Sequence, residues 1–386
     1  MNSFFSSLIL TILIMSTTLG FSQKTKITNV EWKKAAQLQN ADGSISLGFA
    51  GPINGVTHNV LIVAGGANFP DKMPWEGGKK HYSNEIHVLE KTGDTFHWNK
   101  KVTNTLPEPI AYPGNTTTNS GIVYVGGENE NGLSNKAYLL NWNAGENKAE
   151  IKSLPDFPLV ITNIALTHSG NIVYAIGGDE AKQSSDLVFS LDLDAEKPTW
   201  KSLTKLPFTL ANSVSVIQND VLYVIGGRTK TPSGISDLHN TTLAFDLKKQ
   251  VWETKANITD GKQATNFSAG AGVAIGNEFI LILGGDNGTT FHKIETYLSQ
   301  ISKAVSEEEK LKLIAKKNTL NTTHKGFYND ILVYNTHTNK WSKIGELPFL
   351  TQVTTTATIW NNKVVLSNGE IKPGIRTPDV MLGTIK

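Results

Sequence analysis

Two residues near the end of the chain supply the side chains that acid–base chemistry on an anionic substrate would need. Glu370 and Arg376 lie six positions apart in the run Asn368-Gly369-Glu370-Ile371-Lys372-Pro373-Gly374-Ile375-Arg376-Thr377. A glutamate is ordinarily ionised at neutral pH and can accept a proton. An arginine offers a planar fork that grips a carboxylate through two parallel hydrogen bonds, a geometry lysine cannot supply. Of the 36 basic residues in the chain only Arg228 and Arg376 are arginines, which draws attention to both positions. Four histidines, His81, His87, His292 and His324, are candidate proton donors, because a neutral imidazole needs only modest tuning for that task.

Composition removes other chemistries. The 386 residues contain no cysteine, which excludes disulfides, thiolate metal sites, cysteine nucleophiles and cysteine-linked lipid anchors. No metal and no cofactor is expected. The 36 basic and 34 acidic residues leave a net charge of +2, and the basic residues are scattered, so nothing points to nucleic acid. With 39% hydrophobic residues the chain can bury a large core.

Residues 1–22 read as a secretory signal. An apolar run from Phe4 to Leu19 ends in small residues at Gly20 and Ser22, although the leading Met-Asn-Ser carries no Lys or Arg. The expected mature chain, residues 23–386, is periplasmic or secreted and free of the membrane. A membrane anchor is the alternative, but the run is short for a span of about 20 residues.

The elements that must position Glu370 and Arg376 show as a sixfold repeat. A β-rich run closing on a glycine pair recurs as VLIVAGG ending at Gly66, IVYVGG at Gly127, IVYAIGG at Gly178, VLYVIGG at Gly227 and FILILGG at Gly285. The sixth, VVLSNG at Gly369, places Asn368 where the others have the first glycine, a soft departure because Asn tolerates the left-handed backbone. After each pair come a variable loop, a short apolar strand, and a strand expected to begin at Trp98, Ile151, Trp200, Trp252 or Trp341. That makes five fourth strands for six pairs. The missing one is expected at the head of the chain, where Val30-Glu31-Trp32-Lys33-Lys34 has the same pattern.

Four-stranded sheets repeating at about 50 residues cannot bury both faces alone and stack radially. The expectation is an all-β fold, a six-bladed Kelch-type β-propeller over residues 23–386, closed by an N-terminal strand pairing with the C-terminal blade. The glycine pairs and tryptophans are read as blade-shaping residues. The residues following each pair, Ala67, Glu128, Asp179, Arg228, Asp286 and Glu370, should gather around one mouth. Two loops there are long, from Ala67 to about Asn84 and from Asp286 to about Asn329. The second contains an expected helix from Ile294 to Lys317, with apolar Ile294, Leu298, Ile301, Val305, Leu311 and Ile314 at roughly helical spacing, within an insertion at about 291–326 read as a lid that flanks blade 6 together with the first loop.

The NGEIKPGIR run resembles the N-acetylneuraminate epimerase (sialic acid mutarotase) family, together with Gly65-Gly66-Ala67-Asn68-Phe69 and Lys79-Lys80-His81-Tyr82-Ser83-Asn84-Glu85-Ile86-His87. Gly284-Gly285-Asp286-Asn287, with an insertion ending in Phe327-Tyr328-Asn329, looks like the same family. The usual order places the NGExKPGxR blade before the GGAxF blade. Here the order is reversed, so the chain resembles a cyclically permuted branch of that family.

The resemblance implies an isomerase that exchanges the α and β anomers of N-acetylneuraminate, with Glu370 as proton acceptor and Arg376 beside it. Asn68, Arg228, Asn287 and His292 are the expected substrate contacts, with Glu128, Asp179 and Asp286 further candidates by position. Sialic acid would be the small-molecule partner. A sialidase is excluded because its carboxylate grip needs three arginines, and galactose-oxidase chemistry because it needs a Cys–Tyr crosslink. A non-catalytic Kelch propeller binding a glycan or a protein is the alternative of a different class.

Overall fold

The computed structural model describes residues 26–386, so the expected signal at 1–22 lies outside the described residues. Six antiparallel sheets of four strands follow one another along the chain. Blade 1 comprises Ile53–Thr57, Val60–Ala64, Ile86–Thr92 and Thr95–Trp98. Blades 2 to 5 repeat that order, and blade 6 is built from both ends of the chain: Thr358–Trp360, Lys363–Ser367 and Asp379–Ile385, with Val30–Gln37 as its outermost strand. The closing pair runs from Val30 opposite Ile385 to Gln37 opposite Asp379, with Trp32 opposite Gly383.

Six separate apolar cores explain why the second strand of every blade is hydrophobic on both faces. Side chains alternate along a strand, so in blade 1 Leu61 and Val63 pack toward blade 6, whereas Ile62 and Ala64 pack toward blade 2. The other cores lie between blades 2 and 3, 3 and 4, 4 and 5, and 5 and 6. Such an arrangement has no free sheet face, and closing the ring leaves only the outer strand of each blade as an edge.

Four tryptophans tie blades 1, 3, 4 and 5 to the blade before each. Trp98 Nε1 donates to Gln37 O at 2.8 Å, Trp200 Nε1 to Pro155 O at 2.9 Å, Trp252 Nε1 to Thr204 Oγ1 at 3.2 Å and Trp341 Nε1 to Ala256 O at 3.0 Å. They do not open the outer strands as expected. Trp98 closes its strand, Trp200 precedes Lys201–Lys205, Trp252 and Trp341 are second in theirs, and Ile151 lies inside Lys148–Ser153. The indole is placed by the neighbouring blade, so the hairpin ahead of it sets where the strand begins.

The glycine pairs are where neighbouring blades approach most closely. Gly126 has φ +67°, and a Cβ there would lie 2.3 Å from the carbonyl oxygen of Ile161 on the lead-in to blade 3. Asn368 adopts the same left-handed backbone at φ +59° and is fully buried. Its Oδ1 accepts the Phe49 N–H at 3.1 Å, so the one departure from glycine supplies a bond to blade 1.

A ring of backbone hydrogen bonds closes around the axis. Tyr112 N donates to Gly51 O, Asn163 N to Tyr112 O, Asn212 N to Asn163 O, Ala269 N to Asn212 O, Thr354 N to Ala269 O and Gly51 N to Thr354 O, all between 2.8 and 3.0 Å. All six residues have positive φ, from +52° to +63°. The residue before each forms an isolated bridge with a predicted mouth residue, Ala50 with Ala67, Ala111 with Glu128, Thr162 with Asp179, Ala211 with Arg228, Ser268 with Asp286 and Val353 with Glu370. The six mouth positions are therefore structurally equivalent.

The insertion of blade 5 folds as two helices rather than one, α1 (Phe291–Lys303) and α2 (Glu307–Thr322). Ser306 caps the second, its side chain accepting the Glu309 N–H, with Glu307, Glu308 and Glu309 in the first turn. Val305, counted at sequence level as part of an apolar stripe, lies in the break and is 98% exposed.

Candidate active site

Glu370 and Arg376 are brought together by a short hairpin of blade 6, Glu370–Lys372 and Ile375–Arg376, in which the two residues are paired directly. Pro373-Gly374 makes the turn, Gly374 at φ +77°. Blade 1's long loop braces it from the side: a Cβ on Gly374 would lie 3.0 Å from Pro74 Cδ and 3.2 Å from the Trp75 ring.

Every nitrogen of the Arg376 guanidinium has a partner. Nε donates to Ala67 O at 3.3 Å, Nη1 lies 3.3 Å from Glu370 Oε1, and Nη2 is 3.5 Å from the Tyr112 hydroxyl oxygen. The Phe69 ring covers the guanidinium with its centroid 4.8 Å from Cζ, a cation–π contact. The Arg376 side chain is only 4% exposed, against 19% for Glu370. Glu370 Oε1 also accepts the Gly374 N–H at 2.6 Å. One carboxylate oxygen is thus held by two donors, while Oε2 has no hydrogen bond among the described residues. An arginine so fully engaged orients the glutamate as much as it offers charge to a ligand.

A second charged cluster adjoins the first through Tyr112. Lys80 Nζ lies 4.9 Å from the Tyr112 ring centroid and 5.5 Å from that of Tyr82, and 2.9 Å from Glu128 Oε1. The Tyr82 hydroxyl donates to the same oxygen at 2.9 Å. Burial pushes the Tyr82 phenol up to about 12, with Lys80 acting in the opposite sense. Burial likewise raises the Tyr112 phenol, against the pull of Lys80 and Arg376.

The remaining candidates are distributed around the mouth. Asn68 is buried beside Ala67, its Nδ2 donating to Gly48 O at 3.1 Å and its Oδ1 left without a partner. Arg228 is engaged by Asp179, which also accepts from Ser184 at 2.9 Å and Asn163 at 3.2 Å and has Lys230 Nζ at 3.7 Å. Asn287 and His292 line a cavity with Ser236, Asp237 and Asn266 between blades 4 and 5. Arg228, Asn287 and His292 make no hydrogen bond or ion pair with Glu370 or Arg376, and the same holds for His81, His87 and His324. Asp286 is half-buried; burial raises its carboxyl, the nearby Glu370 adding to the effect and the Gly288 N–H opposing it.

Helix α1 is docked on blade 4. Glu295 Oε2 accepts the Ser236 N–H at 2.7 Å and Oε1 accepts the Ser236 hydroxyl at 2.8 Å, while Ser299 Oγ donates to Ser233 O at 2.9 Å. The returning segment nears blade 6, where a Cβ on Gly326 would lie 3.9 Å from Ile371 O.

Tyr112, Phe69, Lys80 and Tyr82 are site residues that sequence reasoning did not assign. For Tyr112 a signal was present: the lead-ins Ala50-Gly51-Pro52 and Ala111-Tyr112-Pro113 align, and a tyrosine replaces a glycine.

A sequence model of the N-acetylneuraminate epimerase family matches residues 16–148 and 154–386. The chain belongs to that family. Among curated members, the N-acetylneuraminate epimerase of Salmonella typhimurium is 31% identical over 229 residues, covering 58% of this chain and 56% of the relative. That of Haemophilus influenzae is 26% identical over 236 residues, covering 61% and 60%. The chain thus spans less than two thirds of the length of these epimerases. A solved structure described as that of YjhT matches with a TM-score of 0.58 at 14% identity, over 88% of this chain and 97% of the other, which supports the fold.

Proposed function

We propose that the protein is an N-acetylneuraminate mutarotase, an isomerase that exchanges the α and β anomers by opening and reclosing the hemiketal ring. The observation that carries this reading is the split environment of Glu370, with Oε1 fixed by Arg376 and Gly374 and Oε2 left unbonded. Family membership supplies the substrate class.

The chemistry suits such a carboxylate. N-acetylneuraminate is a 2-keto acid closed as a hemiketal, and its anomeric carbon bears no hydrogen, so no carbon acid is involved. Ring opening needs the proton of the anomeric hydroxyl removed while the ring oxygen gains one. Glu370 Oε2 is the base in this scheme, and a positioned base contributes about 10²- to 10⁴-fold. Arg376 holds the Glu370 carboxylate in register and adds positive charge beside an anionic substrate.

A permuted order of blades is part of the proposal. Two rings cut at different points share only an arc in linear alignment, which fits matches covering 58% and 61% of this chain. Export to the periplasm through residues 1–22 is proposed on the sequence pattern alone. Proton NMR exchange spectroscopy on N-acetylneuraminate tests the activity: the protein should accelerate transfer between the two anomers' resonances, and a rate equal to buffer would refute it.

A further inference from the structure

We propose that Tyr112 is the catalytic acid that protonates the ring oxygen, the complement of Glu370. This assignment rests on the mutarotase reading above. A single guanidinium binds both groups: Arg376 Nη1 contacts Glu370 Oε1 at 3.3 Å and Nη2 contacts Tyr112 Oη at 3.5 Å. An arginine only donates, so the phenol oxygen is the acceptor there. Its own O–H has no acceptor among the described residues and is free to point at a ligand.

The placement of this tyrosine is sterically expensive. Its position in the axial ring requires a left-handed backbone, which Gly51, Asn163 and Asn212 tolerate and which Tyr112, Ala269 and Thr354 adopt against preference. Room for the ring comes from the neighbouring position, where a Cβ on Gly51 would lie 2.4 Å from Tyr112 Cδ1. Of these three, Tyr112 is the one whose side chain meets the Arg376 guanidinium.

Two cations face the phenol, Arg376 at its oxygen and Lys80 at 4.9 Å from the ring centroid. Burial keeps the hydroxyl protonated at rest, while both cations favour the anion that forms when the proton leaves. The four histidines considered as donors bond to neither Glu370 nor Arg376. Of the nearby groups also held toward their protonated forms, Tyr82 already donates its hydroxyl to Glu128 Oε1 and Asp286 is bonded at Oδ1 to Gly288 N; neither is tied to Arg376.

The protons balance over one turnover. On opening, the anomeric hydroxyl gives its proton to Glu370 Oε2 and its electron pair forms the C2 carbonyl. The bond from C2 to the ring oxygen breaks, its pair stays on that oxygen, and Tyr112 supplies the proton. The site then holds neutral Glu370 and a Tyr112 phenolate, with total charge unchanged. After rotation presents the other face of C2, the hydroxyl returns its proton to Tyr112 as its oxygen attacks, and Glu370 reprotonates the former carbonyl.

Tyr112→Phe tests this, because it deletes only the hydroxyl. At saturating N-acetylneuraminate the anomer exchange rate should fall by about 10²-fold or more, with dissociation constant and melting temperature close to those of wild type. Exchange within about twofold of wild type would overturn the assignment, as would a loss of that size in Asp286→Asn with Tyr112→Phe unaffected. Wild type that fails to accelerate exchange removes the activity itself and the assignment with it. Wild type that is active beside an equally active Tyr112→Phe removes the assignment alone.

Discussion

Glu370 and Arg376 face each other across the two strands of a single hairpin, and the turn between them returns the Gly374 N–H to the same carboxylate oxygen that the guanidinium binds. The Glu370 carboxylate is therefore oriented by its own hairpin, and the arginine extends that orientation to blades 1 and 2 through Ala67 O and Tyr112.

Arg376→Lys keeps the charge and loses the fork. A lysine reaches one of these partners, so Glu370 and Tyr112 would no longer share a fixed point. The exchange rate should fall by at least about tenfold, with weaker substrate binding as well. Comparing rates at low and saturating substrate separates the two effects. Kinetics equal to wild type would show that the planar geometry is unimportant.

Gly51→Ala should damage both ring and site. The left-handed backbone at φ +63° costs an alanine roughly 1–2 kcal/mol. Its methyl must also displace Tyr112, an overpacking cost of about 1–3 kcal/mol. Urea unfolding should show a loss of about 2–5 kcal/mol accompanied by slower anomer exchange. Unchanged stability would mean that the axial ring is loosely packed.

These two sites illustrate what could be read from the chain. Glu370 and Arg376 were legible because hairpin partners are near neighbours in sequence. Closure was legible because a fourth strand was missing at one end and a matching Trp32 pattern lay at the other. Tyr112 was not assigned: the aligned lead-ins single out the position, but its contacts with Arg376 of blade 6 and Lys80 of blade 1 show only in three dimensions. The break between α1 and α2 was missed for the opposite reason: the Ser306 cap and three following glutamates were local signals, outweighed by an apolar stripe through Val305. Asn287 and His292 line a cavity with Ser236 and Asp237 of blade 4, the blade to which Glu295 pins α1, a contact between blades that sequence spacing does not show.

Asp286→Asn should change the pH dependence of stability. Burial raises the folded-state carboxyl above its ordinary value of about 3.9, so the folded protein binds the proton more tightly than the unfolded chain. The contribution of this group is fully present below that ordinary value and is lost as pH rises through the raised one. Asparagine removes the titration, so the variant should gain stability relative to wild type at neutral pH and lose that advantage in acid. Melting curves from pH 3 to pH 8 check this; an advantage independent of pH would assign the effect to something other than the charge.

Glu295→Ala should release α1 without weakening the propeller. Both carboxylate oxygens hold Ser236, and hydrogen bonds to a charged group are worth about 1.5–3 kcal/mol. Amide exchange across Phe291–Lys303 should quicken by about 10- to 100-fold while exchange in the blade strands stays as in wild type. Equal protection in the helix would show that apolar packing alone holds it.

The central claim, that an oriented carboxylate on blade 6 opens a sugar-acid ring, is tested most directly by anomer exchange of N-acetylneuraminate in wild type and Glu370→Gln side by side. Glutamine keeps the shape and cannot take the proton, so exchange should drop by about 10²- to 10⁴-fold while bound substrate still protects the protein against heat. A glutamine variant that exchanges anomers as fast as wild type would contradict the account.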